Sequence, residues 1–150
     1  MCEDKKQTNR CDGCIAEILT VINVLQQNAT CCGETCLDTC DRGFLGCSNT
    51  SLNCNTRPVM LYTCSGNGTP WSMLTTKEDV SCNDCGAVCS NVFRVEKIDD
   101  NCATFRVLEK NCDEKTKQTN PFVATNSFFT MNLDCCCAIR CLQDTFVDCL

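Results

Sequence analysis

The chain contains no histidine, and this absence removes several kinds of chemistry. Serine and cysteine hydrolases of the common types need an imidazole beside the nucleophile as a general base. A zinc site in this chain could use only thiolates and carboxylates. Glycine patterns that cradle phosphates, such as Gly-x-Gly-x-x-Gly, are also missing from the sequence. We therefore predict that the protein is not an enzyme and has no catalytic residue, metal site or cofactor.

Positive charge and long apolar runs are scarce as well. The 13 Lys and Arg residues face 19 Asp and Glu residues, which gives a net charge of −6. Such a chain lacks the basic surface that binds nucleic acid or an anionic membrane. The apolar stretch Ile15–Leu25 is interrupted by polar residues such as Glu17 and Asn23, so it does not predict a membrane span. The amino-terminal residues have no apolar segment, and we expect synthesis in the cytosol without a signal peptide.

Against these absences stands a large number of cysteines, 20 in 150 residues. This share exceeds the ~8–10% that marks a disulfide scaffold. Such scaffolds are usually short and secreted, because they cannot bury enough core to fold unaided. A domain of this length already buries roughly 68–70% of its unfolded surface. The surplus of sulfur therefore indicates a task beyond folding, and cross-linking of one molecule to the next is the simplest.

Three alternative uses of the cysteines remain open. One is an internal disulfide framework, in which each bond contributes about 2–4 kcal/mol to stability. Another is zinc, because Cys11-x2-Cys14 and Cys82-x2-Cys85 have the spacing of a four-thiolate site, although the two pairs lie far apart in sequence. A third is redox catalysis at the Cys11–Cys14 pair, which precedes a helix but contains the opposing acidic residue Asp12.

Intermolecular cross-linking accounts for most features of the cysteine pattern together. Adjacent cysteines rarely bond to each other, because a disulfide needs Cα atoms about 5.5 Å apart and converging side chains. The chain has two such runs, Cys31–Cys32 and Cys135–Cys137. Cys2 and Cys149 lie near the chain ends, where thiols can reach a neighbouring subunit.

The amino-terminal part of the chain predicts one helix. Between Cys14 and Gln27, apolar residues recur at three- and four-residue spacing, and Asp12 stands where an N-cap belongs. Residues 29–57 predict a loop-rich, cysteine-bearing belt, because glycines interrupt the pattern. The amphipathic helix is expected to pack on the core.

The remainder of the chain predicts β structure. Pro58–Cys64 and Pro70–Thr75 flank an Asn-Gly turn and predict a first hairpin. Val92–Ile98 and Cys102–Glu109 alternate apolar and polar residues and predict a second. Residues 111–126 predict a polar linker.

The segment Phe128–Leu142 predicts one long final strand. On a strand, alternate residues face opposite sides, so Cys135 and Cys137 are expected on the apolar side and Cys136 on the outer side. The whole pattern predicts a mainly β protein with an antiparallel, sandwich- or barrel-like sheet, one N-terminal helix and many disulfides. We expect a single domain with an arm at 1–13, a core at 14–142 and a tail at 143–150.

Several segments resemble the CotY/CotZ/ExsY family of cysteine-rich spore coat and exosporium proteins. They are Cys14–Gln27, Cys36–Cys40 followed by Phe44–Gly46, Asn55–Tyr62, Phe93–Glu96, Asp100–Leu108 and Leu133–Leu142. The resemblance implies a structural protein of the outer spore layer, in the exosporium basal layer or the outer coat. It implies self-assembly into hexameric rings and a disulfide-linked two-dimensional lattice that forms a resistant, semi-permeable shell. Copies of itself and other coat proteins are the implied partners, and nucleic acid and membrane are not.

The resemblance also divides the cysteines into two groups. Positions shared with the family are candidates for intramolecular disulfides: Cys14, Cys36, Cys40, Cys89, Cys102, Cys135, Cys137 and Cys141. Candidates for intermolecular disulfides are Cys2, Cys11, Cys31, Cys32, Cys136 and Cys149. It implies synthesis in the mother-cell cytosol and oxidation later at the spore surface. The alternative is a monomeric zinc-binding or secreted disulfide-scaffold module.

Overall fold

The computed structural model describes residues 13–28 and 54–150, which form an antiparallel sheet with a helix packed on it. The elements are α1 (Cys14–Asn28), β1 (Val59–Thr63), β2 (Met73–Leu74), β3 (Cys89–Ser90), β4 (Val92–Asp99), β5 (Cys102–Lys110), β6 (Phe122–Asn132), a 3-10 turn (Leu133–Cys135) and β7 (Cys136–Cys141). Five strands form one sheet in the order β6-β5-β4-β1-β7, and β2 pairs with β3 in a separate ribbon. The predicted mainly antiparallel β fold with one N-terminal helix is confirmed. Within the described ranges, no helix has the length and apolar character that a membrane span requires.

Helix α1 forms where the periodicity predicts it. Ile15, Leu19 and Ile22 are buried on one side of the helix and belong to the main core. Gln26 is buried with them, and its amide donates to the Val95 carbonyl at 2.8 Å. The prediction of Asp12 as N-cap lies outside the described residues, as do most of the predicted belt 29–57 and the arm 1–13.

The second predicted hairpin is confirmed as β4 and β5. The two strands pair from Val92 with Leu108 to Asp99 with Cys102. Asp100 adopts the left-handed backbone conformation, with φ of 57°, that tight turns between strands need. The hairpin lies at the centre of the sheet and contributes its most buried aromatic residues.

The first predicted hairpin is correct in its turn but wrong in its pairing. Asn67 and Gly68 have positive φ angles of 55° and 80° and reverse the chain. The returning segment meets β1 at one bridge, Tyr62 with Pro70, and then continues into β2, which pairs with β3. Proline has no N–H to donate, so a ladder cannot continue normally through Pro70. Strand β1 pairs with β4 and β7 instead.

The prediction of one final strand over Phe128–Leu142 is also wrong. Strand β6 begins at Phe122, inside the predicted linker 111–126, and ends at Asn132. The Asn132 side chain accepts the N–H of Asp134 at 3.0 Å and starts the 3-10 turn that separates β6 from β7. Strand β6 pairs with β5, whereas β7 pairs with β1 at the other margin of the sheet.

This topology requires the sheet to curl. The chain passes from β6 to β7, the two outermost strands, between Asn132 and Cys136. Four residue steps span at most ~14 Å, whereas the outer strands of a flat five-stranded sheet lie about 19 Å apart. The margins must therefore bend towards each other, and the end of β1 faces β6 across an open cleft.

The two faces of the sheet bury different clusters. Phe93 and Phe105 lie on the α1 side, and both pack against Phe129, with ring centroids 4.8 Å and 5.3 Å from it. Val92 and Val147 belong to a smaller cluster. Because Val92 and Phe93 are neighbours on one strand, this cluster lies on the opposite face.

The carboxyl-terminal segment is tied to the sheet beyond Leu142. The Arg57 guanidinium donates to both carboxylate oxygens of Asp144, at 2.7 Å and 2.8 Å. This hydrogen bonding raises the pKa of Arg57. The Asn55 side chain donates to the Val147 carbonyl at 2.9 Å and accepts the Val147 N–H at the same distance. These bonds fix the chain that follows β7.

Candidate functional site

Thiols dominate the reactive chemistry at the surface of the described residues. The free and exposed cysteines are Cys14, Cys64, Cys85, Cys102, Cys112, Cys135, Cys137, Cys141 and Cys149. Residues 13–28 and 54–150 hold no group of three or more His, Cys, Asp or Glu side chains that could bind a metal ion. Exposed thiols can form disulfides, so covalent sulfur chemistry is one reaction that this surface supports.

Three of these cysteines gather where β1 and β7 meet, and we call Cys64, Cys135 and Cys137 the β1–β7 thiol cluster. In the ladder, Tyr62 pairs with Ala138 and Thr63 pairs with Cys136. Cys137 is therefore the extra residue of a β-bulge, a feature that redirects side chains. A hydrogen bond with the Cys137 thiol raises the pKa of Cys64, and the charges of Cys137 and Cys135 add to the rise.

Cys136 lies beneath the cluster, so the prediction that it points outward is wrong. Its side chain is 6% exposed and belongs to the main core. Its thiol donates to the Ala138 carbonyl at 3.3 Å, and burial raises its pKa. The 3-10 turn adds residues between β6 and β7 and shifts the alternation of buried and exposed positions. The buried residues are therefore Met131, Leu133 and Cys136. As an intermolecular candidate it is inaccessible to a second chain in this structure.

An apolar cleft of about 660 Å³ adjoins the thiol cluster. It lies between the end of β1 and β6. Residues lining it include Cys64, Trp71, Met73, Phe129, Met131 and Cys135. Two of the cluster thiols therefore border an open apolar surface.

A disulfide between Cys82 and Cys89 closes a short loop before β4. The two Cα atoms are 5.8 Å apart. The Asp84 carboxylate accepts the Val80 and Ser81 N–H groups, at 3.1 Å and 2.9 Å, and braces this loop.

The same disulfide bears on the predicted zinc spacing. Because Cys82 is bonded to Cys89, the pair formed by Cys82 and Cys85 is not a free dithiol in this structure. Cys85 itself is exposed and free. Cys54 is also disulfide-bonded.

The remaining predicted site residues are spread over the molecule. Cys14 begins α1, Cys102 begins β5, Cys141 ends β7 and Cys149 is close to the carboxyl terminus. Partial desolvation raises the pKa of Cys141, and Arg57 opposes the rise. The predicted residues that lie outside the described ranges are Cys2, Cys11, Cys31, Cys32, Cys36 and Cys40.

Sequence reasoning assigned no role to Cys64. It lies one residue after β1, so it comes near the start of β7 only because β1 pairs with β7. Alternation along β1 puts Cys64 on the side opposite the buried Val59 and Leu61, which was a local signal of an accessible thiol. The sequence around Cys64 does not indicate which residue of another strand lies next to it.

The family model of spore coat protein Z matches residues 2–144. The chain belongs to the spore coat protein Z family. The match includes α1, the whole sheet and the β1–β7 thiol cluster. No curated protein and no solved structure matches the chain.

Membership of the spore coat protein Z family confirms the family resemblance of the sequence. It assigns the chain a structural role in the spore coat, at the spore surface. The geometry is consistent with that role, because the described residues present many exposed thiols on a hydrogen-bonded sheet.

Proposed function

We propose that the chain is a subunit of an ordered two-dimensional layer in the outer spore covering, held together by disulfides between copies of the chain. The observation that carries this proposal is the placement of free, exposed cysteines on separate parts of one folded domain. A layer needs contacts in several directions, and thiols on several sides supply them.

The distance between particular thiols supports bonds between chains. Cys102 begins β5, whereas Cys112 follows the end of that strand. A strand rises ~3.3 Å per residue, so the two Cα atoms lie roughly 25–30 Å apart. A disulfide joins Cα atoms within about 7 Å. These two exposed cysteines therefore cannot bond to each other in this fold.

The layer forms in two stages in this proposal. Subunits are made in the reducing mother-cell cytosol and associate, in hexameric rings, through non-covalent contacts. Oxidation at the spore surface, in the exosporium basal layer or the outer coat, then links neighbouring subunits. Dissociation of a linked layer requires reduction, so the shell resists dilution and heat even where single contacts are weak. Other coat proteins with accessible thiols join the same network.

Gel electrophoresis with and without reductant tests the cross-linking. Purified protein is oxidised, boiled in detergent and run under both conditions. The expected result is a ladder, or material retained in the well, that collapses to one band with reductant. A single monomer band under both conditions would contradict the proposal, and stoichiometric zinc by elemental analysis would then support the alternative module.

Matched variants show which thiols form the links. Replacing Cys112 and Cys149 by serine removes two exposed thiols, so the ladder should shorten. Cys136→Ala removes a buried thiol and should leave the ladder length unchanged. Electron microscopy of the oxidised wild type should show sheets, and amorphous aggregates in their place would contradict an ordered layer.

A further inference from the structure

We propose that Asn67 is a site of spontaneous covalent modification, at which the side-chain amide is lost and the main chain is rearranged to isoaspartate. The reaction takes place within one subunit and consumes only water. It goes beyond the cross-links between subunits proposed above, because it uses no thiol. Its product changes the margin of the apolar cleft.

The residue that follows Asn67 favours this reaction. Asn67–Gly68 is the one Asn-Gly pair in the sequence. The backbone nitrogen that follows an asparagine can attack the side-chain carbonyl carbon and close a succinimide ring. A side chain on the following residue hinders this approach, and glycine has none. The sequence therefore distinguishes Asn67 from every other asparagine in the chain.

The structure leaves both reacting groups accessible. Asn67 and Gly68 are exposed, and no atom lies within 4 Å of the position that a Cβ atom of Gly68 would take. Within residues 13–28 and 54–150, neither the Asn67 side chain nor the Gly68 N–H has a hydrogen-bond partner. No bond to the protein therefore has to break before the nitrogen meets the carbonyl carbon.

The turn that contains the two residues can open at low cost. The Thr69 N–H donates to the Gly66 carbonyl at 2.9 Å, and the two residues between them have positive φ angles. These are the features of a type I′ turn. Ring closure requires Asn67 to rotate out of this conformation. Exposed turns with few hydrogen bonds open most readily, so the reactive geometry is reached without unfolding of the sheet.

Asparagines at other positions are held in ways that Asn67 is not. The Asn111 amide donates to the Asn120 carbonyl at 2.7 Å. Asn83 is exposed like Asn67, but the residue after it is Asp84, whose N–H donates to the Ser81 carbonyl at 3.0 Å. Asn83 thus has the exposure without the free nitrogen, and it is the matched comparison within the same chain.

The modification is a balanced exchange of water for ammonia. The Gly68 nitrogen loses its proton and forms a bond to the Asn67 side-chain carbonyl carbon. The bond from that carbon to the amide nitrogen breaks, and ammonia leaves with the proton. Water then opens the ring at one of its two carbonyls. One opening gives aspartate, and the other gives isoaspartate, in which the main chain runs through the side-chain carbon. No electrons are transferred.

The turn sets the position of the residues that follow it, so the modification reaches the cleft. Tyr62 forms a bridge with Pro70, and the Trp71 N–H donates to the Leu61 carbonyl at 2.8 Å. Trp71 lines the apolar cleft. Turn type and loop length fix how the flanking segments meet. Isoaspartate adds a methylene to the main chain of this turn, and we therefore expect Trp71 to shift relative to β1.

Timed incubation of the folded protein at mildly alkaline pH tests the proposal, with free thiols alkylated beforehand to prevent cross-linking. Peptide fragmentation that separates aspartate from isoaspartate assigns the products. We expect isoaspartate at Asn67 to form faster than at Asn83 by on the order of tenfold or more, because rates fall steeply when an attacking atom is misplaced. Trp71 is the single tryptophan of the sequence, and its emission should shift in step with the product.

Variants show whether the reaction follows the proposed course. Gly68→Ala should slow it on the order of tenfold or more. Because Gly68 has a positive φ and alanine strains the turn, Asn67→Gln is a second variant: it keeps the glycine, and its longer side chain cannot close a succinimide. Asn67→Asp has the new charge without the extra methylene, so its initial Trp71 emission should match the unmodified protein.

Three results would overturn the proposal. One is an equal rate at Asn67 and Asn83 in the folded protein. Another is no conversion of Asn67 in the folded protein over a period in which the denatured chain converts. The third is an unchanged Trp71 emission after complete conversion, which would separate the turn from the cleft. These measurements use monomer, so they are independent of the ladder that tests the layer.

Discussion

The β4–β5 hairpin and the β1–β7 pair belong to one sheet but use their side chains differently. In the hairpin, Phe93 and Phe105 are fully buried on one face. On the other face Glu96 accepts from Arg94 and Arg106, with N–O distances of 2.8 Å and 3.0 Å. Aromatic and charged side chains of this hairpin therefore form contacts inside the molecule, although Cys102 at the start of β5 is exposed and free.

The β4–β5 hairpin also has a bulge and one exposed thiol, but the β1–β7 pair combines its bulge with an open cleft and several exposed thiols. Its irregular backbone leaves reactive groups at the surface that the fold itself does not need. The comparison teaches that stability and reactivity are separated in this sheet. The centre keeps the fold intact, and the margin is available for covalent bonds.

The largest expected effect comes from the central hairpin. Phe105→Ala removes a fully buried ring and should lower the free energy of unfolding by about 3–5 kcal/mol. Phe128→Ala is the matched control, because this ring is 41% exposed and lies 4.5 Å from the Arg106 guanidinium. The Phe128→Ala variant should lose about 1 kcal/mol of the free energy of unfolding. Denaturant unfolding of the reduced proteins measures the free energy of unfolding of both variants. Equal decreases in the two variants would contradict the conclusion that the central hairpin is the main source of stability.

A smaller effect is expected where the chain leaves β7. Asp144→Asn breaks the ion pair with Arg57, in which the aspartate side chain is 3% exposed and the arginine 19%. The free energy of unfolding should fall by about 2–3 kcal/mol. This is less than the loss for a fully buried ion pair, because the arginine is partly solvated. Asp148→Asn changes an exposed carboxylate and serves as control. Denaturant unfolding should show little change for the control, and a similar loss in both variants would refute the anchoring role.

Three adjacent cysteines should differ in reactivity in the native state. Cys135 and Cys137 are exposed, whereas Cys136 is 6% exposed and reacts only after local opening. Alkylation of reduced protein should therefore be slower at Cys136 by on the order of tenfold or more. Mass spectrometry of timed samples measures the rates. In denaturant the three rates should converge, and equal rates in the native protein would place Cys136 at the surface.

The smallest effect is a pH dependence of stability. Burial raises the pKa of Cys136 above its ordinary value of 9.0. At higher pH the unfolded chain loses this proton before the folded chain does, so the unfolded state binds fewer protons and stability falls. At pH values below the ordinary thiol pKa, the folded and the unfolded state both hold the proton, so the buried thiol does not lower the stability.

A comparison of variants isolates this pH effect. Cys136→Ala lacks the buried thiol, so its stability should decline less steeply above the ordinary thiol pKa of 9.0 than that of the reduced wild type. The slope with pH is compared, because the variant also loses packing at all pH values. Identical slopes would contradict a protonated, buried thiol.

Local patterns predicted the centre of the molecule well. Helix α1 and the β4–β5 hairpin each join neighbouring residues, so their periodicities contain the relevant information. The margins depend on partners far along the chain. Pairing of Val59 with Cys141, which sets the register of β1 and β7, leaves no trace in either segment alone.

The break at Leu133–Cys135 shows why the candidate site was only partly predictable. The apolar alternation of β6 continues formally into β7, so the pattern predicts one strand. Asn132 and Asp134 are the local signal of the turn, because an Asn side chain can accept an N–H two residues later. Once the turn is placed, Cys136 moves to the core and Cys137 to the surface.

The turn between β6 and β7 also determines how the sheet bears mechanical load. A force applied at Cys135 would act on the last residue of one outermost strand and on the first residue of the other. Such a force would divide between two hydrogen-bonded ladders, that of β6 with β5 and that of β7 with β1.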